Sequence, residues 1–136
     1  MIEFNYETEF SLDNEEQLAI WISNVILSEE FKQGDINYIF CDDDYLFKLN
    51  LEFLNHDTLT DIISFDYSIG KIIQGDIFIS IERVKENAID FNVSFLDELH
   101  RVMVHGILHY CGYKDKSDDD ERLMRNKENH YLKQLV

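Results

Sequence analysis

An α+β fold is predicted for this chain, with a small sheet of about four strands surrounded by about five helices, and three observations predict it. Apolar residues alternate with period two in short stretches and recur at helical spacing in longer ones. These stretches follow one another as strand, helix, strand, helix, strand, strand and then helices, the order of an α+β domain. No proline, repeat, low-complexity segment or linker interrupts the order, so the 136 residues, 45% of them hydrophobic, are expected to form one domain over 1–136 with a sizeable core.

Ile2-Glu3-Phe4-Asn5-Tyr6 alternates as a first strand, and Ile36, Tyr38 and Phe40 alternate in a second. Between them a helix is expected over 14–30, because Leu18, Trp21, Ile22, Val25 and Ile26 recur on one face; Trp21 belongs to the core on that pattern. Asp42-Asp43-Asp44 favours a helix N-terminus through capping and the dipole, which opens a helix over 43–55. That acidic run lacks the spacing of a calcium loop. Asp61–Tyr67 and Ile72–Ser80 read as strands joined by a turn at Ser68-Ile69-Gly70-Lys71, since Ile62-Ile63 and Ile77-Phe78-Ile79 suit a pleated surface. A helix over 81–91 follows. Ser94 and Asp97 resemble a capping box opening the next helix, whose expected buried side carries Phe95, Leu96, Leu99, Val102, Met103, Ile107 and Leu108. The last helix is expected after Ser117, through Leu123, Met124, Tyr131 and Leu132.

The chemistry concentrates in His105-Gly106-Ile107-Leu108-His109-Tyr110-Cys111-Gly112-Tyr113-Lys114-Asp115. Histidines at i and i+4 lie on one helix face, close enough to converge on one ion. Gly112 can take the left-handed conformation that ends a helix, and the chain's return brings Asp115 within reach as a third ligand. A bare HxxxH pair is also found between ordinary neighbours on half-buried helices; the Gly112 and Asp115 spacing is what favours a metal site. In the H-E-x-x-H peptidases a glutamate after the first histidine is the general base, and here that position is Gly106, which disfavours peptidase chemistry. A glycine within a helix is about 1 kcal/mol less favourable than alanine. Two explanations fit Gly106: close packing against a neighbouring element, or room for substrate beside the metal.

This stretch resembles the H-G-x-L-H-x-x-G-Y-D-H signature of the YbeY family, bacterial metal-dependent endoribonucleases and ribosomal RNA maturation factors. The run from Leu49-Asn50-Leu51-Glu52-Phe53-Leu54 to Thr60-Asp61-Ile62-Ile63-Ser64-Phe65 resembles the family's L-N-x-x-[YF]-R and T-D-V-L-S-F blocks, and Gly75-Asp76-Ile77 its G-D-I element. The resemblance implies a mixed sheet with the metal helix crossing beneath an edge strand. It also implies one zinc ion per chain on His105, His109 and Asp115, activating water or polarising phosphate, with RNA and the small ribosomal subunit as partners. Two positions depart from the pattern. Asp115, preceded by Lys114, stands where the family usually has a third histidine; carboxylate oxygen is an accepted zinc ligand. Leu54 stands where the family has an arginine associated with activity, and leucine cannot grip a phosphate. Lys48 and Lys114 are candidates to supply compensating charge.

Net charge sets the other bound. Twenty-eight acidic residues against 12 basic ones leave −16, so weak binding to free RNA is expected. Lys114, Lys116, Arg122, Arg125 and Lys127 are interleaved with acids and read as a solvated mixed-charge helix start. This balance keeps open a noncatalytic, metal-stabilised factor that binds the small subunit through basic ribosomal proteins, and a metallohydrolase of another substrate. Cys41 and Cys111 lie outside any CxxC pair and are expected to be buried thiols. With no run of about 18 apolar residues and an acidic start at Met1-Ile2-Glu3, cytoplasm is the expected location. His100, five residues before His105, points elsewhere and reads as a packed histidine. Asp61 and Asp76 read as loop-holding hydrogen-bond partners, and His56 as a surface residue.

Overall fold

The computed structural model describes residues 1–54 and 60–135. Its order is β1 (Ile2–Tyr6), α1 (Glu15–Ser28), β2 (Lys32–Cys41), α2 (Asp43–Leu54), β3 (Ile62–Asp66), β4 (Ile72–Ser80), α3 (Ile81–Asp90), α4 (Phe95–Tyr110) and α5 (Asp118–Leu132), closing on a short 3-10 turn at Lys133–Leu135. The sheet runs β1-β2-β4-β3. β1 and β4 both pair parallel with β2, whereas β3 pairs antiparallel with β4, which makes the sheet mixed and leaves β3 on an edge. The α+β expectation holds. His56 lies outside the described residues.

The caps at Ser94 and Ser117 act where the sequence places them, and Ser80 adds one the sequence reading did not name. Ser80, Ser94 and Ser117 each accept a hydrogen bond from the backbone N–H three residues on, opening α3, α4 and α5. Asp42 Oδ1 accepts from Tyr45 N at the start of α2. Two expectations need correction. β2 starts at Lys32, four residues earlier than the alternation suggests, because Lys32 and Gln33 pair with Ile72 and Ile73 across an irregularity between Gln33 and Ile36. Such a bulge breaks the period-two signal, and Gly34 permits it: a Cβ there would stand 2.9 Å from the Ile73 carbonyl oxygen. Leu96 is 55% exposed rather than buried. It sits in the first turn of α4, outside the stripe that Leu99, Val102, Met103 and Ile107 bury.

The alternation of the strands divides the core between two faces. Ile36, Tyr38 and Phe40 of β2 and Ile73, Ile77 and Ile79 of β4 pack with the buried stripes of α1 and α4. Trp21 is in that core, as its spacing predicts, and donates Nε1–H to the Tyr131 carbonyl at 2.8 Å, joining α1 to α5. The opposite face is thinner, with Cys41, Leu46 and Ile63 buried against Leu49, Phe65 and Phe78. α4 is pinned to the sheet by two phenols. Tyr38 donates to the Met103 carbonyl at 2.8 Å, and the Tyr110 hydroxyl lies 2.9 Å from the Phe65 carbonyl and 3.0 Å from that of Asp76. Gly75 makes the second contact feasible, since a Cβ there would stand 2.7 Å from that hydroxyl.

Candidate metal centre

α4 is held against β4 and the edge strand β3, and its C-terminal turn carries the candidate ligands. Gly106 rests between Ile62 and Ile77: an added Cβ would meet both Ile Cδ1 atoms at 3.1 Å. Of the two explanations left by the sequence, close packing accounts for this glycine. It lets α4 approach the sheet, and the histidines on either side of it turn outward, half-buried.

The end of α4 is built to return the chain. Gly112 has φ +103°, its N–H bonds to the His109 carbonyl at 3.0 Å, and the Tyr113 N–H bonds to the Leu108 carbonyl at 3.0 Å. This is a Schellman cap, and no side chain crowds Gly112, so conformation alone requires glycine there. Three residues further on, Asp115 Oδ2 lies 3.3 Å from the Nε2 atoms of both His105 and His109, which are 3.0 Å apart.

The far side of each ring fixes its tautomer. His109 Nδ1 faces the Tyr113 carbonyl at 2.9 Å, and a carbonyl can only accept, so Nδ1 carries the proton. His105 Nδ1 faces Glu128 Oε2 at 2.7 Å. Burial works to raise the Glu128 pKa, but hydrogen bonds from His105 and Arg101 and the charge of Arg125 outweigh it and hold it below the usual glutamate value. As an acceptor, the ionised carboxylate fixes the His105 proton on Nδ1. In the neutral rings both Nε2 lone pairs then point at each other and at a carboxylate oxygen. Three acceptors within 3.3 Å repel unless something positive lies among them. Burial opposes charge on His105, but Glu128, Asp115 and Asp61 outweigh it and raise its pKa.

The triangle fits zinc. Bond lengths of about 2.0–2.2 Å in a tetrahedron place neighbouring ligand atoms about 3.3–3.6 Å apart, against the 3.0 and 3.3 Å separations here. Among the described residues, these three are the group of histidine, cysteine and acidic side chains whose ligand atoms come close enough to share an ion, all within 4.8 Å.

A family model described as Endoribonuclease YbeY matches residues 2–136. The chain belongs to the YbeY family. Curated relatives named Endoribonuclease YbeY include that of Flavobacterium johnsoniae, 70% identical over 97% of this chain and 95% of the relative, and that of Flavobacterium psychrophilum, 65% identical over 98% and 95%. The solution structure of TM1509 from Thermotoga maritima superposes with a TM-score of 0.71 at 28% identity, covering 99% of this chain and 89% of that one. The YbeY resemblance read from three short blocks therefore extends over nearly the whole length.

Around the triangle of this YbeY-family chain lie residues that the sequence reading missed. Glu128, 4% exposed, also accepts from Arg101 Nη1 at 2.9 Å, while Arg125 Nη1 lies 3.7 Å away. Another carboxylate, Glu29 capping α1 with its side chain largely covered, accepts from Tyr113 at 2.6 Å, from Lys127 at 3.2 Å and from the Tyr131 hydroxyl. It fixes Tyr113, whose carbonyl holds His109. The signal for Glu128 was present: it falls between Met124 and Tyr131 at spacings of four and three, an acid on the apolar stripe of α5.

The remaining expectations divide. His100 is half-buried edge-on to Trp21, away from the triangle; its Nε2 has no hydrogen-bond partner among the described residues, and burial lowers its pKa. Asp76 accepts from Asn37 at 3.1 Å, and Asp61 from Asn87 at 3.4 Å while its carbonyl accepts from Ser80 N. Asp61 also lines a cavity with His105, and burial raises the pKa of its carboxyl. Cys41 is buried and Cys111 only half-buried; burial pushes both thiols up to about 12, so neither is an active nucleophile. The basic cluster is split by the helix. Lys127 turns to Glu29, whereas Arg122 and Arg125 turn to the cavity beside His105.

Proposed function

We propose that residues 1–136 act as one domain, a zinc-dependent endoribonuclease that processes ribosomal RNA during small-subunit maturation in the cytoplasm. The observation that carries this reading is the triangle of three lone-pair donors, with both rings fixed from behind, in a chain whose relatives are named endoribonucleases. His105, His109 and Asp115 would hold one zinc ion. Three protein ligands leave a fourth position open, and zinc bound there supplies Lewis acidity to a water or a phosphoryl oxygen.

The chain's own residues do the rest. Glu128 and the Tyr113 carbonyl hold the two imidazoles in the tautomer that presents Nε2, an arrangement typical of metal-binding histidines. Asp115 would present a carboxylate where an imidazole would be neutral, making a zinc site one unit less positive and any water on it a weaker acid. Asp61 lines the same cavity as His105 and is held there by Asn87, so it would stand beside the ion as a buried acceptor. Arg101 keeps Glu128 ionised and in place.

Cleavage of a labelled small-subunit RNA precursor by untagged, zinc-loaded protein tests the reading, beside Asp115→Ala and a chelated control. Cleavage lost in both controls is the expected result. Cleavage that persists in Asp115→Ala after its metal is gone would sink the mechanism. No cleavage by protein carrying one zinc would favour the noncatalytic factor that the −16 charge suggests.

A further inference from the structure

Arg101 lines two cavities. One is the space beside His105 and Asp115; the other, of about 690 Å³, lies between the start of α4 and the end of α5 and contains none of the candidate ligands. Three features that the rest of the fold does not use meet in this second cavity. Leu96, exposed where the sequence predicts burial, lines it together with the 44% exposed Val93 and the partly buried Leu132 and Leu135. His100 lines it as well, with Nε2 unpartnered among the described residues and with burial lowering its pKa, so the ring adds a flat uncharged face. The lining also carries one acid and one lysine, Asp97 and Lys133, both exposed and neither in an ion pair among the described residues. Arg101 is engaged already, since its terminal nitrogens donate to Glu128 and to Asn129, each at 2.9 Å. One unpaired charge of each sign therefore stands beside an aliphatic wall.

We propose that this cavity binds a small zwitterion with an apolar body, an apolar amino acid or a short apolar peptide. Its carboxylate meets Lys133, its ammonium meets Asp97, and its side chains cover Leu96, Val93, Leu132 and Leu135. The volume lies within the range of about 300–1,000 Å³ in which small-ligand sites fall, and such sites join apolar walls to a few polar groups that fix orientation. Exposed aliphatic side chains gathered beside charges are the usual mark of a ligand groove. The charges choose the class of ligand. A single anion would meet Asp97 and a single cation Lys133, whereas a zwitterion satisfies both. Having no net charge, it also enters the field of a −16 molecule without repulsion. Ion pairs at an exposed rim are weak, so the apolar wall supplies most of the affinity and the charged ends supply selectivity.

Saturation-transfer NMR on the zinc-loaded full chain, titrated with leucine and with dileucine, measures such weak binding directly. Dileucine is expected to bind, and its N-acetyl and C-terminal amide forms to bind about threefold more weakly, since each lacks one charged end. Lys133→Gln should remove the difference between dileucine and its amide, and Asp97→Asn that between dileucine and its N-acetyl form. Leu96→Ser, at an exposed position, should weaken binding about tenfold with the melting temperature unchanged. Leucine bound as well as dileucine assigns the site to a free amino acid, and dileucine bound alone assigns it to a peptide; both support the proposal. Asp115→Ala should bind as the parent does. A loss there equal to that in Leu96→Ser would place the zwitterion on the metal and overturn the proposal. So would capped forms that bind as well as dileucine, or no binding of either probe by the folded parent.

Discussion

Glu29 and Glu128 are the same device used in two places. Glu128 lies buried on α5 and Glu29, its side chain largely covered, caps α1; each is kept ionised against burial by three donors, and each anchors one of the two candidate histidine ligands from behind. Their partners differ. Glu29 collects two phenols and a lysine and reaches His109 only through the Tyr113 backbone, whereas Glu128 touches the His105 ring directly and is shared with two arginines. The first ties α1, α5 and the return loop together, so it acts on the stability of the whole; the second acts on the site. The direct contact, rather than burial or charge, separates a structural carboxylate from one placed to tune a candidate metal centre.

The largest effect is expected when a proposed ligand itself is removed. His109→Ala should abolish stoichiometric zinc and bring RNA cleavage down to the level of the chelated protein, measured by metal analysis and a labelled precursor. Glu29→Ala should come next in free energy, at about 3 kcal/mol of lost stability, because two hydroxyls and an ammonium are left without their acceptor. Urea unfolding measures it, with zinc affinity of the folded fraction nearly unchanged. Glu128→Gln should show the converse, a loss of about 10–100-fold in zinc affinity as expected for a group that orients a metal-binding histidine, read by competition with a chromophoric chelator. If the two variants gave the same pattern, the distinction between the anchors would fail.

Two smaller effects sharpen the contrast. Gly106→Ala gains about 1 kcal/mol of helix propensity but presses on Ile62 and Ile77, and overpacking of about 1–3 kcal/mol should leave it destabilised by about 1 kcal/mol. Thermal unfolding checks the sign. For pH, burial raises the Glu29 pKa while Tyr113, Tyr131 and Lys127 lower it by more, so the net shift is down from 4.5. A depressed folded-state value means that this stabilisation is complete above that ordinary value and is lost as pH falls through the folded one. Stability measured from neutral to acid pH should therefore decline less steeply in Glu29→Gln than in the parent.

Much of this was legible because it is local. Caps at Ser94 and Ser117, the stripe of α1 and the alternation of β4 are set by residues a few positions apart, and so is the Gly112 turn that carries Asp115 back to the histidines. What escaped depends on contacts between distant segments. β2 lost its first residues because a bulge hides alternation, and the role of Gly106 became clear only with Ile62 and Ile77 in place. Glu29 meets Tyr113 across 84 positions, and no pattern in sequence announces such a pair. Glu128 left a faint trace as an acid on an apolar stripe, the signature of a buried charge with a partner elsewhere. Arg122 and Arg125, read as members of a solvated run, acquire their meaning from the face of α5 on which they fall.

His105, His109 and Asp115 are proposed to hold one zinc ion together. Zinc stoichiometry and affinity of the untagged protein, measured by chelator competition beside Asp115→Ala, test it most directly. One tightly held zinc per chain in the parent, with affinity lost by at least about 100-fold in the variant, is the predicted result. Zinc held equally well by Asp115→Ala, or no zinc bound by correctly folded parent protein, would contradict it.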